Sequence, residues 1–201
     1  DKAERRVDTL PFGEERRVLV DMQSVPPVLV NAIIAAEDER YYQHAGIDYV
    51  GVARAAYANL LTGGRRQGAS TITMQVARNF FLSSEKTLTR KLYEVLLALK
   101  IEHSLTKDQI LALYINQIYL GQRAYGFAAA AQTYFGKSLD HLSVGEAAML
   151  AALPKAPSSY NPVANPQRAR QRQQYVLRRM KDLGYITDAD YDVALKTPIV
   201  A

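Results

Sequence analysis

The chain has 201 residues, of which 48% are hydrophobic and 22% are charged, close to the values of globular domains, so a disordered or collagen-like chain is excluded. It contains no cysteine, which excludes disulfides, thiolate nucleophiles and cysteine-based zinc sites. The net charge of +5 favours anionic partners such as nucleic acid, anionic lipid or a phosphorylated substrate.

The elements predicted in chain order are helices. Residues 1–25 form a charged, irregular N-terminal segment with one β-like stretch at 18–20. No apolar run reaches the roughly 18 residues of a transmembrane helix. The predicted helices cover about 27–41, 49–62, 70–81 and 87–103, one after Thr106, one from Ser143 to Pro154, one over 166–183 and one after Thr187. Helices separated by short polar breaks predict an all-α fold.

Several helix ends are predicted from capping signals. Asp48 is placed as an N-cap, and Thr106 with Gln109 and Ser143 with Glu146 have the spacing of capping boxes. Gly63-Gly64 and Gly184 are predicted stops. Residues 65–68, which follow the helix at 49–62, are predicted to be mobile, and the stretch 62–67 is expected to be poorly ordered when no ligand is bound.

The first helix carries a carboxylate on its apolar stripe. Glu37 follows Val30, Ile33 and Ile34 at helical spacing. A carboxylate in an apolar wall has a raised pKa and can act as an acid or a base. The alternative is that the helix ends near residue 40 and Glu37 lies at the surface.

The helix after Ser70 carries a narrow polar stripe between two apolar ones. The stripe consists of Thr71, Gln75, Arg78 and Asn79. Hydrogen-bond donors lining a cleft suit a phosphate-rich ligand. A solvated face is the alternative.

A third candidate is the group Arg90, Lys91 and Glu94, whose spacing allows all three side chains to meet on one helix face. The alternative is a surface ion-pair cluster. Lys100 and Glu102 are interpreted as ordinary surface charges.

A metal site at Asp38, His44 and Asp48 is not favoured, because their spacing fits no common metal-binding pattern and Asp48 is explained as a cap. His103 and His141 show no partner pattern, and Glu146 is explained as a cap.

Five segments follow one another in a characteristic order: residues 37–48 (EDERYYQHAGID), 68–79 (GASTITMQVARN), 90–94 (RKLYE), 110–121 (ILALYINQIYLG) and 145–157 (GEAAMLAALPKAP). Together they resemble the peptidoglycan glycosyltransferase domain of class A penicillin-binding proteins (glycosyltransferase family 51), from about Phe12 to Tyr191. Tyr41 stands where the family more often has Phe, and Ala69 and Met74 stand where it commonly has Gly and Gln. None of these three changes falls at a position to which the resemblance assigns catalysis.

The resemblance implies a lysozyme-like fold of two helical lobes with a catalytic cleft between them. It implies that residues 1–201 form a single glycosyltransferase domain, and that an N-terminal membrane anchor and a C-terminal transpeptidase domain are absent from this fragment. It places the protein on the outer, periplasmic face of the bacterial inner membrane.

The implied reaction polymerises lipid II into glycan strands with inversion, and undecaprenyl pyrophosphate leaves. Glu37 carries over as the general base and Glu94 as the second essential carboxylate, which either orients Lys91 and Arg90 or assists the leaving group. A leaving pyrophosphate needs its charge neutralised, for which cations and oriented hydrogen-bond donors are suited. The resemblance implies that the other matching residues bind substrate. They are Asp38, His44, Ser70, Thr71, Gln75, Arg78, Asn79, Arg90, Lys91 and Lys155.

No resident metal or other cofactor is expected to be required, although a divalent cation such as Mg²⁺ or Mn²⁺ can assist at the pyrophosphate. The expected partners are lipid II, the growing glycan on undecaprenyl pyrophosphate, the membrane surface and moenomycin-type inhibitors, and no nucleic acid. The helix at 49–61 is expected to contact the membrane, because it is apolar on more than one face; burial in the core is the alternative.

Two other functions fit parts of the sequence. A lysozyme-like hydrolase or lytic transglycosylase would share a helical fold and a catalytic Glu, but cleaving a glycosidic bond releases no phosphate for Arg90 and Lys91 to neutralise. A basic helical nucleic-acid-binding module would need a dense basic face, for which only 168–179 is a candidate.

Overall fold

The computed structural model describes residues 20–63, 68–81 and 87–201. Within them the chain forms nine α-helices, and the one β element is an isolated bridge between Tyr119 and Tyr125. The helices are α1 (Pro27–Glu37), α2 (Tyr49–Thr62), α3 (Ile72–Phe81), α4 (Leu88–Ser104), α5 (Lys107–Gln117), α6 (Phe127–Phe135), α7 (Val144–Ala152), α8 (Pro166–Asp182) and α9 (Asp188–Lys196). The prediction of an all-α fold is confirmed. The predictions for residues 1–19, and for residues 64–67 of the stretch predicted to be mobile, lie outside the described residues.

The chain divides into two compact units. Unit 1 contains the described residues up to Ala36 together with Ala112–Ala201, and unit 2 contains Glu37–Leu111. No helix in the described part of the chain is long and apolar enough to cross a membrane.

Unit 1 is built around α7, which is apolar apart from Glu146 in its first turn and is almost entirely buried. Helix α7 packs against α6, α8 and α9. The side chain of Gln173 on α8 is fully buried and donates from Nε2 to the Gly145 carbonyl at 2.8 Å. This bond satisfies a buried amide that would otherwise destabilise the fold.

Unit 2 contains α2, α3, α4, the first residues of α5 and the segments between them, and α3 packs against α4. It also contains the turns at 38–48, which precede α2 and belong to the first motif. Nine polar or charged residues are buried in the described part of the chain, and unit 2 contains five of them: Asp38, Thr71, Thr73, Gln75 and Glu94.

Most predicted helix ends are confirmed. The Asp48 carboxylate accepts from Gly51 N at 3.0 Å, and α2 is followed by Gly63 in the left-handed conformation. Both capping boxes form, with Thr106 N donating to Gln109 Oε1 at 2.9 Å and Ser143 N donating to Glu146 Oε1 at 2.9 Å. Hydrogen bonds between a capping residue and a residue three positions later can be predicted from the sequence spacing alone.

Three details differ from the sequence prediction. Helix α1 ends at Glu37 instead of Tyr41, because Asp38 accepts from the backbone of Ile72 and the chain turns there. Helix α3 begins at Ile72 instead of Ser70. Helix α6 was not predicted, because its alanine-rich sequence has no polar stripe and no side-chain cap.

The capping carboxylate of α7 predicts an acid-sensitive contribution to stability. Burial raises the pKa of Glu146, but the hydrogen bonds from Ser143 and Lys137 outweigh it and hold this pKa below its ordinary value. Since the folded-state pKa is depressed, the contribution is present above the unfolded-state pKa and is lost as the pH falls through the folded-state value. We expect Glu146→Gln to lower stability by up to about 1 kcal/mol at neutral pH, and by progressively less as the pH falls through the folded-state pKa of Glu146, measured by thermal melting at a series of acidic pH values. A loss that stayed the same throughout this series would contradict the prediction.

Candidate active site

Glu37 lies at the last position of α1, and its side chain is half-buried. Gln75, a buried residue of α3, donates from Nε2 to Glu37 Oε2 at 3.2 Å. This bond joins the first and second motifs and fixes the direction of the carboxylate. The alternative of a freely exposed surface Glu37 does not hold.

The residue after it, Asp38, is buried and ties the first motif to α3. Its Oδ2 accepts from Ile72 N at 3.1 Å and lies 2.7 Å from His44 Nε2. His44 Nδ1 accepts from Gly46 N at 3.0 Å, so the ring hydrogen resides on Nε2 and is donated to Asp38. The visible partners of Asp38 and His44 are thus protein groups, which position the neighbouring Glu37.

Thr71 immediately precedes α3 and is buried. Its Oγ1 donates to the Gly46 carbonyl at 2.7 Å and accepts from Met74 N at 3.1 Å. The hydroxyl therefore caps α3 and holds the Gly46 turn. Of the predicted polar stripe, Gln75 is also buried, Arg78 is half-exposed and Asn79 is exposed. The stripe runs from the interior to the surface, so it is not a uniformly solvated face.

The third motif places a buried carboxylate beside a lysine. Glu94 is only 1% exposed, and Lys91 Nζ lies 3.0 Å from its Oε1 and 2.9 Å from Ser70 Oγ. A buried carboxylate requires such a partner to offset its desolvation. The surface ion-pair alternative is therefore wrong for Glu94, although Lys91 itself is exposed and its ammonium can reach a ligand.

Residues 70–75 connect these two clusters. Ser70 accepts from Lys91, and Gln75 donates to Glu37. The structure thus brings residues of the first three motifs together in unit 2. Arg90 is half-exposed at the start of α4, and its backbone N donates to Thr87. Lys155 belongs to unit 1, where it is exposed in the turn after α7.

Glu102 was interpreted from sequence as an ordinary surface charge, and that interpretation is wrong. Its side chain is largely buried. Only 10% of it is exposed, and Glu102 Oε1 accepts from Thr73 Oγ1 at 2.7 Å and from Lys107 Nζ at 2.6 Å. The Tyr41 hydroxyl donates to the Lys107 carbonyl at 2.5 Å, and burial together with Glu102 raises the pKa of Tyr41 far above its usual range. Thr73 lies 29 residues from Glu102 in sequence, so helical spacing could not reveal the contact.

We expect Glu102→Ala to destabilise the protein by about 2 kcal/mol, because Thr73 and Lys107 lose a charged acceptor in a largely buried place. Chemical denaturation measures this loss. Lys100→Ala is the matched control, since Lys100 is exposed on the same helix, and it should change stability by less than about 0.5 kcal/mol. Equal effects of the two changes would show that the Glu102 contacts contribute nothing.

The three residues considered for a metal have other partners. Asp38 pairs with His44, and Asp48 caps α2 and accepts from Arg40 Nε at 3.2 Å. Within the described ranges, no group of three or more His, Asp or Glu residues is arranged to hold a metal ion.

Helix α2 presents an apolar surface to solvent. Ala55 is its one buried residue, whereas Leu60 is 80% exposed and Tyr49, Tyr57 and Leu61 are similarly open. The alternative that this helix is part of the core is wrong. Helix α4 adds exposed apolar side chains at Leu88, Leu92, Tyr93 and Leu96.

Comparison with known proteins gives a consistent result. The Transglycosylase family model matches residues 4–181. A Cupriavidus necator protein, named as a candidate transglycosylase, is 64% identical over 180 residues, which is 90% of this chain and 78% of that protein. Penicillin-binding protein 1A of Neisseria flavescens is 60% identical and that of Neisseria gonorrhoeae is 61% identical; each alignment covers 92% of this chain.

This chain spans 23% of the length of those two penicillin-binding proteins. The crystal structure of penicillin-binding protein 1A from Haemophilus influenzae matches 94% of this chain and 19% of that one, with 35% identity and a TM-score of 0.59. Both the sequence and the fold thus support the resemblance drawn from the five motifs. The chain belongs to the transglycosylase family, and its activity is that of a peptidoglycan glycosyltransferase of cell wall synthesis.

Proposed function

We propose that the protein polymerises lipid II. The donor is the growing glycan on undecaprenyl pyrophosphate, and the acceptor is the next lipid II. The observation that carries this proposal is that one unit holds both a fixed, half-buried carboxylate, Glu37, and a cationic cluster built on a buried one, Glu94. Proton removal and neutralisation of a leaving anion are the two tasks of this transfer.

The proposed chemical step begins at Glu37. Its carboxylate removes the proton from the O4 hydroxyl of the acceptor N-acetylglucosamine as that oxygen attacks the anomeric carbon of the donor. A new glycosidic bond forms with inversion, and the bond to the pyrophosphate oxygen breaks with its electron pair. The hydrogen bond from Gln75 orients the Glu37 carboxylate. Asp38, which is paired with His44, holds the start of α3 next to Glu37 through its bond to Ile72 N.

The leaving group is stabilised by cations. A departing pyrophosphate needs its charge neutralised more than it needs a proton. We assign this task to Lys91, Arg90 and Arg78, with Ser70 and Glu94 orienting Lys91. Asn79 lies on the exposed end of the same stripe as Arg78 and is proposed as a further donor to the phosphates.

A divalent cation such as Mg²⁺ or Mn²⁺ can lower the charge of the pyrophosphate further. The buried carboxylates Asp38 and Glu94 are already engaged with His44 and Lys91, so we propose that such an ion is held by the phosphates of the substrate. We also propose moenomycin-type inhibitors as ligands of this site, and the periplasmic face of the inner membrane as its location.

Incubation with lipid II, followed by gel separation of glycan products, tests the proposed function. Polymer should accumulate and undecaprenyl pyrophosphate should be released. A parallel incubation with preformed glycan distinguishes a lytic enzyme. Shortening of the glycan without growth from lipid II would contradict the proposal.

The exposed apolar surface of α2 predicts membrane contact. Replacing Leu60 and Leu61 by Ser should weaken liposome binding several-fold and leave the melting temperature nearly unchanged, because both side chains are exposed. Sedimentation with anionic liposomes measures binding, and Val193→Ser, on an exposed position of α9, is the control. Unchanged binding with a large drop in melting temperature would contradict the prediction.

A further inference from the structure

Unit 1 contains a cavity that the proposed reaction does not use. Its volume is about 330 Å³, at the small end of the roughly 300–1,000 Å³ of ligand pockets. It lies at the side of α7 and α8 where the chain leaves α9. Its apolar wall consists of Met149, Pro162, Pro166, Pro198 and Ile199.

Two cations line the same cavity, Arg170 and Lys196, and none of its lining residues is acidic. Arg170 donates from Nη1 to Gln173 Oε1 at 2.7 Å and to the Thr197 carbonyl at 3.4 Å, and from Nη2 to the Leu195 carbonyl. All three acceptors are neutral, so these bonds fix the guanidinium, and no carboxylate of the described residues compensates its charge. Lys196 is exposed and makes no ion pair with any residue that the structure describes.

The wall of the cavity is preformed. Ile199 packs so closely on α7 that its Cδ1 would lie 3.2 Å from a Cβ placed on Gly145. Gln173 joins the same glycine to α8 through its bond to the Gly145 carbonyl, and it also accepts from Arg170. The apolar wall and the guanidinium therefore share one network, and a ligand would find both already in position.

We propose that this cavity binds a small amphipathic carboxylate. The carboxylate lies against Arg170 and Lys196, where charge-assisted hydrogen bonds are available, and the apolar body fills the space against the prolines and Ile199. An inorganic anion would leave the apolar wall uncovered, and a neutral apolar molecule would leave both cations without a counter-charge. The inference concerns unit 1 alone and does not depend on the proposed function.

Nuclear magnetic resonance on the labelled 201-residue protein tests this proposal, with phenylbutyrate as the probe. We expect saturable shifts of the Ile199 methyl and Gly145 amide signals. Phenylbutyramide has the same apolar body without the charge and should bind about tenfold more weakly. Absence of saturable shifts, or equal affinity for the neutral amide, would overturn the proposal.

Two matched variants test whether the positive charge of Lys196 contributes to binding the carboxylate in this cavity. Lys196→Gln should weaken phenylbutyrate binding at least about fivefold and leave phenylbutyramide binding unchanged. Arg168→Gln removes the same charge from an exposed position of α8 that does not line the cavity, and it should leave both affinities unchanged. Equal losses in the two variants would show a general charge effect and would overturn the assignment to this cavity.

Discussion

Glu37→Gln is expected to reduce glycan polymerisation by about 10²–10⁴-fold, the loss typical of removing a general base. The substitution keeps the size and shape of the side chain. Its amide oxygen can still accept the hydrogen bond from Gln75, which spans 3.2 Å in the wild type. The change therefore removes basicity while leaving the geometry of the site in place, and the melting temperature should be nearly unchanged.

Turnover of lipid II, compared with thermal melting, measures this effect. Glu39→Gln is the matched control, because Glu39 belongs to the same motif and its carboxylate pairs with exposed Arg54. The Glu39→Gln substitution should reduce turnover by less than about threefold, since exposed ion pairs contribute little. If turnover of the Glu37→Gln protein stayed within about tenfold of the wild-type value, Glu37 would not be the general base.

The parts of the fold that were predicted from sequence rest on short-range rules. Asp48, Thr106 and Ser143 each cap a helix through a partner three residues away, and that spacing is visible in the sequence. The pairing of Lys91 with Glu94 follows from the same helical geometry. The assignment of these residues to one enzyme family came instead from the order of five motifs, because each spacing alone also fits a surface helix.

What the sequence did not predict depends on contacts between distant segments. Glu102 looks like any polar residue of an exposed helix until Thr73 and Lys107 are placed around it. Helix α1 was predicted to continue to Tyr41, but Asp38 bonds to the backbone of Ile72, 34 residues away. The burial of Thr71 and Glu94 likewise follows from the packing of α3 on α4, which spacing within either helix cannot show.

Lys91 and Glu94 are expected to act as one unit against the pyrophosphate. Lys91→Ala should slow transfer by about 10²-fold or more, because it removes a positive charge from the developing anion. Glu94→Gln should be similarly severe, since Lys91 Nζ loses the charged acceptor that lies 3.0 Å away. If the two act together, the double variant should be little worse than the worse single one.

Polymerisation rates of the two single variants and of the double variant test this coupling, together with a melting curve for each protein. The melting curves are needed because Lys91→Ala leaves the buried Glu94 carboxylate without its cation and so destabilises the protein as well. Arg90→Lys keeps the positive charge but loses the planar guanidinium. The activity of this variant therefore distinguishes a leaving group that needs two parallel hydrogen bonds from one that needs charge alone. If Lys91, Glu94 and Arg90 formed only a structural cluster, stability would fall in the first two variants while turnover per folded molecule stayed near wild type. Full activity in all three single variants would show that this face of α4 does not meet the donor, and the placement of the pyrophosphate beside Lys91 would be wrong.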